Sequence, residues 1–294
     1  MARLAGDMWV VFAFGAAGFA GLTAILAKIG VRGTPSHLAT AIRTVVVLGF
    51  AWLVVLMTGS QATIGAVDAA TLGFLVLSGL ATGASWLCYF KALQLADVNQ
   101  VTPIDKSSII LTVLFAILFL GETENLATRL PGIAVIGIGT YLMIEPGRRL
   151  PTSRGGGTWL LYAGASAVFA ALTTILGKVG IGGVDSNLGT ALRTIVVLAM
   201  AAVVAVVSGE HRQWRAVPRR DLAFILLSGV ATGASWLCFY RALAEGPASL
   251  VAPIDRLSIV VTIVFASVFL RERLTLRAAC GLALILAGTF LMLV

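Results

Sequence analysis

Residues 78–88 read SGLATGASWLC and residues 228–238 read SGVATGASWLC, a single difference across an offset of 150. The offset holds without a gap elsewhere. TAIRTVVVL at 40–48 returns as TALRTIVVL at 190–198, and PIDKSSI at 103–109 returns as PIDRLSI at 253–259. Shared hydrophobicity does not reproduce such stretches, so the chain is a tandem duplication. Its halves are 1–144 and 158–294, joined by the Pro/Gly/Arg-rich linker EPGRRLPTSRGGG at 145–157.

Composition sets the class. Of 294 residues 59% are hydrophobic and 12% charged, with a mean hydropathy of +1.00. A soluble domain carries about 25% charged residues. The apolar residues fall in runs long enough to cross a bilayer core of about 30 Å. They lack the apolar/polar alternation of a membrane barrel, and backbone groups in lipid must bond internally, so the spans are helices. Five are expected per half: 8–31, 36–58, 69–91, 98–120 and 126–144, then 158–181, 186–208, 221–244, 249–270 and 274–294. The fold class is thus an all-α membrane protein with ten transmembrane helices in two five-helix repeats. The apolar run after Arg3 continues into further spans and reads as an uncleaved first helix. Cys88, Cys238 and Cys280 lie inside apolar runs and read as packing residues, with no disulfide and no metal site expected.

An odd number of spans per half makes the second repeat enter the membrane from the opposite side. Of the 21 Lys and Arg, eight form matched pairs that cannot set orientation: Lys28/Lys178, Arg43/Arg193, Lys91/Arg241 and Lys106/Arg256. Of the other thirteen, eleven fall on one side, and only Arg3 and Arg129 on the other. The contrast is sharpest between equivalent loops: GSQATIGAVD at 59–68 has no positive charge, and GEHRQWRAVPRRD at 209–221 has four arginines. The positive-inside rule places the linker in the cytoplasm and both termini outside. The net charge of +8 reflects this bias, and no nucleic-acid partner is expected.

Charges inside the spans cost about 2.5–3.5 kcal/mol each on insertion scales, so duplicated ones ask for a reason. Ser36, Thr40, Arg43 and Thr44 form a polar stripe at helical spacing, repeated by Ser186, Thr190, Arg193 and Thr194. A snorkelling arginine at a packed interface would explain the arginines but not the whole stripe. Pro103, Ile104, Asp105 and Lys106 open the fourth span, matched by Pro253, Ile254, Asp255 and Arg256. Proline frees a carbonyl and bends a helix, which is tolerated best beside a cavity. Asp105 is expected to pair with a cation on another helix, such as Arg43 or Lys91. A buried pair of this kind either fixes packing or serves as a gate or proton-titrating site.

The third span carries Thr82, Ser85, Trp86 and Tyr89 on one helical face, with Trp236 and Phe239 repeating the aromatic part. Such a face suits either an aromatic belt or a site for amphipathic solutes. Gly79 and Gly83, repeated at Gly229 and Gly233, read as close helix packing. Glu122 and Glu272 read as solvated ends or as partners of Arg129 and Arg273. The charged groups of the first repeat (Lys28, Arg43, Lys91, Asp105, Lys106) cluster in one half of the membrane. Those of the second (Lys178, Arg193, Arg241, Asp255, Arg256) cluster in the other. Two charged vestibules separated by an apolar middle suit alternating access.

The ATGASW segments, PIDK and PIDR, and the closing FLGE at 119–122 and FLRE at 269–272 resemble the EamA family of the drug/metabolite transporter superfamily, over essentially the whole chain. The resemblance implies ten helices, with the third, fourth, eighth and ninth lining a cavity. It implies secondary transport, often export of amino acids or other small metabolites across the inner (cytoplasmic) membrane. It puts Thr82, Ser85, Trp86 and Asp105, with Thr232, Ser235, Trp236 and Asp255, at the cavity wall. It implies cytoplasmic termini, against the charge count.

An exporter of small amphipathic metabolites or organic anions is the first expectation, because cations outnumber acids in each cluster. Its partners are a small-molecule substrate and the bilayer, with the chain working as a monomer or weak homo-oligomer. The alternatives are a flippase for a lipid-linked phosphate and, from another class, a membrane scaffold or intramembrane enzyme. His37 and His211 are unmatched and lie in loops, no nucleotide-binding motif occurs, and no catalytic residue or cofactor is expected.

Overall fold

The computed structural model describes residues 8–31, 33–95, 101, 104–105, 107–143, 158–269 and 275–293. The linker at 145–157 and Pro103, Lys106, Glu272 and Arg273 lie outside them. In the first repeat the helices are α1 (Met8–Gly30), α2 (Ser36–Thr58), α3 (Ala69–Leu95), α4 (Ser108–Leu120) and α5 (Leu126–Met143). In the second they are α6 (Thr158–Ile181), α7 (Ser186–Val207), α8 (Arg219–Glu245), α9 (Ala248–Arg256), α10 (Ser258–Phe269) and α11 (Leu276–Leu293). Among the described residues there is no strand. Among the described residues, seven helical stretches are long and apolar enough to cross a membrane, and Ser108–Leu120, Leu126–Leu142 and Ala279–Leu293 are shorter apolar helices.

The repeats share their turn chemistry. Gly59 and Gly209 both take φ 73°, a left-handed conformation that costs glycine nothing. Each leads into a 3-10 helix, Ser60–Ala66 or Glu210–Ala216. They differ in capping. Asp185 accepts the Asn187 and Leu188 amides at the start of α7, as an N-cap does. Pro35 stands at that place before α2 and cannot. There Glu210, from the other repeat, accepts the amides of His37 at 2.8 Å and Leu38 at 3.1 Å.

The expected span 249–270 is not one helix. It breaks at Leu257 into α9 and α10, and the equivalent Ser107 is a turn before α4. Pro253 removes the amide that would bond the Ser249 carbonyl. In the first repeat the Ser107 hydroxyl also takes the Ile104 carbonyl at 2.6 Å, competing with the helix.

Packing gathers the chain into two compact units, each drawing on both repeats. The first holds Met1–Leu80, Leu176–Gly246 and Asp255–Leu270. The second holds Ala81–Ile175, Pro247–Ile254 and Arg271–Val294.

In the first unit Ala51 and Val55, late in α2, pack with Leu188 and Ala191, early in α7. These equivalent helices therefore run antiparallel. Contacts also recur with the repeats exchanged. A Cβ on Gly79 of α3 would lie 2.7 Å from Val196 Cβ and 3.1 Å from the Arg193 carbonyl; one on Gly229 of α8 would lie 2.6 Å from Val46 Cβ and 3.0 Å from the Arg43 carbonyl. The expected role of these glycines in close packing is what the geometry provides.

In the second unit Ile109, Val113, Ile133, Ile136, Ala252 and Met292 form a core. Late in α5, a Cβ on Gly139 would lie 2.6 Å from the carbonyl of Gly281, early in α11, so this equivalent pair is antiparallel too.

Large apolar side chains point outward. Met57 and Val207, equivalent positions, are each 78% exposed. Together with the long apolar helices, this is the surface of a multi-pass membrane protein.

Candidate functional site

In the first unit α7 carries Arg193 into the packed interior, where it is 2% exposed. Its Nε donates to Ser78 Oγ of α3 at 2.8 Å. Its guanidinium carbon lies 5.2 Å from the centre of the Trp236 ring and 4.8 Å from that of Tyr240, both on α8. Gly177 of α6 makes the room: a Cβ there would fall 2.6 Å from the Tyr240 ring and 3.1 Å from Ser78 Oγ. The Tyr240 hydroxyl is also bonded to Ser78, and Asp255 lies within electrostatic reach. A cation out of water thus meets a hydroxyl and two aromatic faces.

The equivalent Arg43 is half-buried. With Thr40, Ala39, Ala27, Val31, Ile225 and Ser228 it lines a small recess, with room for roughly one water. Ser228, the counterpart of Ser78, bonds the Ile225 carbonyl at 2.7 Å. Two equivalent arginines therefore have different surroundings in one unit.

The four stripe threonines are satisfied by their own helices, whereas the buried Ser186 Oγ has no hydrogen-bond partner among the described residues. Thr40 and Thr44 bond the Ser36 and Thr40 carbonyls, and Thr190 and Thr194 bond those of Ser186 and Thr190. Thr232 bonds Ser228 O and Thr23, and Ser235 reaches the Ala16 carbonyl at 3.0 Å. Lys178 donates to the Gly246 carbonyl. Arg241 pairs with Glu245 at 2.6 Å and lies over Phe12. Lys28 is exposed, while Asp255 and Arg256 are half-buried.

In the second unit Ser85 donates to the Ser166 carbonyl, and Ser166 Oγ lies 3.1 Å from the Ser85 carbonyl. Thr82 meets Thr173 at 3.2 Å. Asp105 is not paired with Lys91: its Oδ1 accepts from Ser166 Oγ at 2.8 Å, while the exposed Lys91 bonds Gln94. Ser166 is fully buried and has no counterpart, since residue 16 is alanine. Trp86 is half-buried, and Tyr89 packs beside Ala92, Val101 and Ala163.

Glu122 is no solvated end. Its carboxylate accepts the Ala248 amide at 2.8 Å, the Ser249 amide at 2.9 Å and the Ser249 hydroxyl, capping α9. Arg129, 3% exposed, donates to the Glu122 backbone carbonyl and to Ser249 Oγ. Spacing within one repeat misses Ser78, Tyr240, Ser166 and Ser249, because each acts on a residue of the other repeat or stands at an unmatched position.

The profile of the EamA-like transporter family matches residues 7–145 and again 157–294. The chain belongs to that family. This chain, an EamA transporter of the drug/metabolite transporter superfamily, carries the family's sequence twice, in keeping with the 150-residue offset. An "uncharacterized transporter in cobO 3'region" of Sinorhizobium sp is 43% identical over 137 residues, 47% of this chain and 97% of its own. That relative is therefore about as long as one repeat. The "uncharacterized transporter YvbV" of Bacillus subtilis (strain 168) is 36% identical over 135 residues, 44% of this chain and 42% of its own. A solved crystal structure superposes with a TM-score of 0.78 over 97% of this chain and 96% of its own, at 19% identity. At that identity the likeness is one of fold alone.

Proposed function

We propose that this EamA transporter is a secondary-active or facilitative exporter of small amphipathic metabolites, amino acids or organic anions, and that it works by alternating access. It has ten spans in two inverted five-helix repeats, 1–144 and 158–294, in the inner membrane. The seven long apolar helical stretches and the three shorter apolar helices among the described residues support a count of ten. The antiparallel packing of equivalent helices in each unit supports the inversion.

The substrate class rests on one observation, the paired arginines. A guanidinium recognises a carboxylate through parallel hydrogen bonds, and adjoining aromatic rings suit an apolar side chain. Arg193 is enclosed by Ser78, Trp236 and Tyr240, while Arg43 lines a recess with Ser228. A two-fold carrier resting at one end of its cycle has this asymmetry, and reversal exchanges the two environments. Thr82, Ser85, Trp86 and Tyr89 are the substrate contacts proposed within the second unit. Lys28, Lys91, Asp105, Lys106, Lys178, Arg241, Asp255 and Arg256 gate the carrier's vestibules, with the two aspartates coupling protons.

Proteoliposomes loaded with labelled amino acids and organic anions, with and without a proton gradient, test this. At least one carboxylate solute should leave faster than from protein-free vesicles, and Arg193→Gln or Arg43→Gln should slow it by about tenfold or more. If no solute moves and a fluorescent lipid-phosphate analogue crosses the bilayer instead, the protein is a flippase.

A further inference from the structure

The segment Glu210–Arg220 carries four arginines that the transport reading does not use. Arg212 and Arg215 lie on the 3-10 helix Glu210–Ala216, and Arg219 and Arg220 open α8, a membrane-length apolar helix. All four are exposed. Trp214 between them is 60% exposed, with the Arg215 guanidinium 5.1 Å from the centre of its ring.

The nearby carboxylates face inward. Glu210 is occupied by the His37 and Leu38 amides, and Asp221 accepts from Gly33 N at 2.8 Å and from Thr34. Arg219 and Arg220 also stand in the first turn of a helix, where the dipole disfavours cations and favours anions. Folding does not require them there. The same backbone in the first repeat, entered through Gly59 at the same φ, carries Ala62, Gly65, Ala69 and Ala70 at the four places.

We propose that this segment is a binding surface for the anionic phospholipid headgroups of the surrounding membrane. Its position at the mouth of a span puts the arginines at headgroup depth. Trp214 is the amphipathic residue favoured there, and guanidinium groups match phosphate geometry.

The test uses the whole chain in neutral detergent. It is incubated with phosphatidylcholine alone, with added phosphatidylglycerol, or with inorganic phosphate, and read by native mass spectrometry and thermal unfolding. Phosphatidylglycerol should be retained and should raise the unfolding temperature, and high salt should weaken both effects. The R212A/R215G/R219A/R220A variant installs residues this backbone already accepts in the first repeat. It should bind phosphatidylglycerol at least ~10-fold more weakly. The four-lysine variant should keep most of the binding. Undiminished retention in the first variant, equal stabilisation by phosphatidylcholine or by phosphate ions, or equal loss in the lysine variant would each overturn the proposal.

Discussion

Ser78 and Arg193 come from different repeats and meet at 2.8 Å, so one hydroxyl fastens α3 to α7. The exchanged pair, Ser228 and Arg43, is arranged differently, with Ser228 bonded inside its own helix. Ser78→Ala should therefore destabilise the protein by about 1–3 kcal/mol, because a buried cation loses a hydrogen-bond acceptor. Ser228→Ala should cost less than about 1 kcal/mol. Thermal unfolding in detergent compares them, and equal losses would mean that the asymmetry carries no energy.

Gly229 and Gly79 make opposite, equivalent contacts. An added methyl at either must push aside a β-branched valine and a backbone carbonyl. Gly229→Ala and Gly79→Ala should each cost about 1–3 kcal/mol, despite alanine's better helix propensity. Gly73→Ala, with open space at its Cβ, should be neutral or mildly stabilising. Val46→Ala should partly rescue Gly229→Ala, and a double-mutant cycle on unfolding temperatures reads the coupling.

Much of this was legible in the residues. The apolar runs fix helices such as 36–58 and 158–181, because their ends are set by Pro35 and by the polar linker. The glycine pairs announce close packing, and the 150-residue offset announces the duplication. The partners of Arg193 leave less mark on the sequence. Matching the repeats selects Trp236 and Phe239, yet Tyr240 lies against the guanidinium. The only trace is that Tyr89-Phe90 in one repeat becomes Phe239-Tyr240 in the other. Ser166 likewise stands where the first repeat has Ala16. Periodicity reports which face a residue occupies, not which helix of the other repeat meets it.

Asp68 lies just outside the membrane-length part of α3, and its carboxylate accepts the Thr71 amide at 3.1 Å. The Thr71 side chain and then its amide hold the carboxyl below the ordinary value of 3.8. A lowered folded pKa gives stability that is present above the unfolded value and lost as pH falls through the folded one. Wild-type protein should therefore lose unfolding temperature more steeply below about pH 4 than Asp68→Asn, which keeps an acceptor but does not titrate. Parallel curves for the two would remove the effect.

Glu122 holds the start of α9 from the end of α4. The nine-residue α9 contains Pro253 and is severed from α10 at Leu257, so it is too short to stand by its own propagation. Its first amides depend on the Glu122 carboxylate, and Ser249 Oγ also receives Arg129. Glu122→Ala should cost about 1.5–3 kcal/mol, the range for hydrogen bonds to a charged group. It should also speed hydrogen exchange at the Ala248 and Ser249 amides well before global unfolding. Glu122→Gln keeps one acceptor oxygen and should fall between, whereas Ser249→Ala removes only the hydroxyl and should leave those amides protected. Exchange at 248–249 unchanged in Glu122→Ala would show that α9 is held by packing around Ala252 instead.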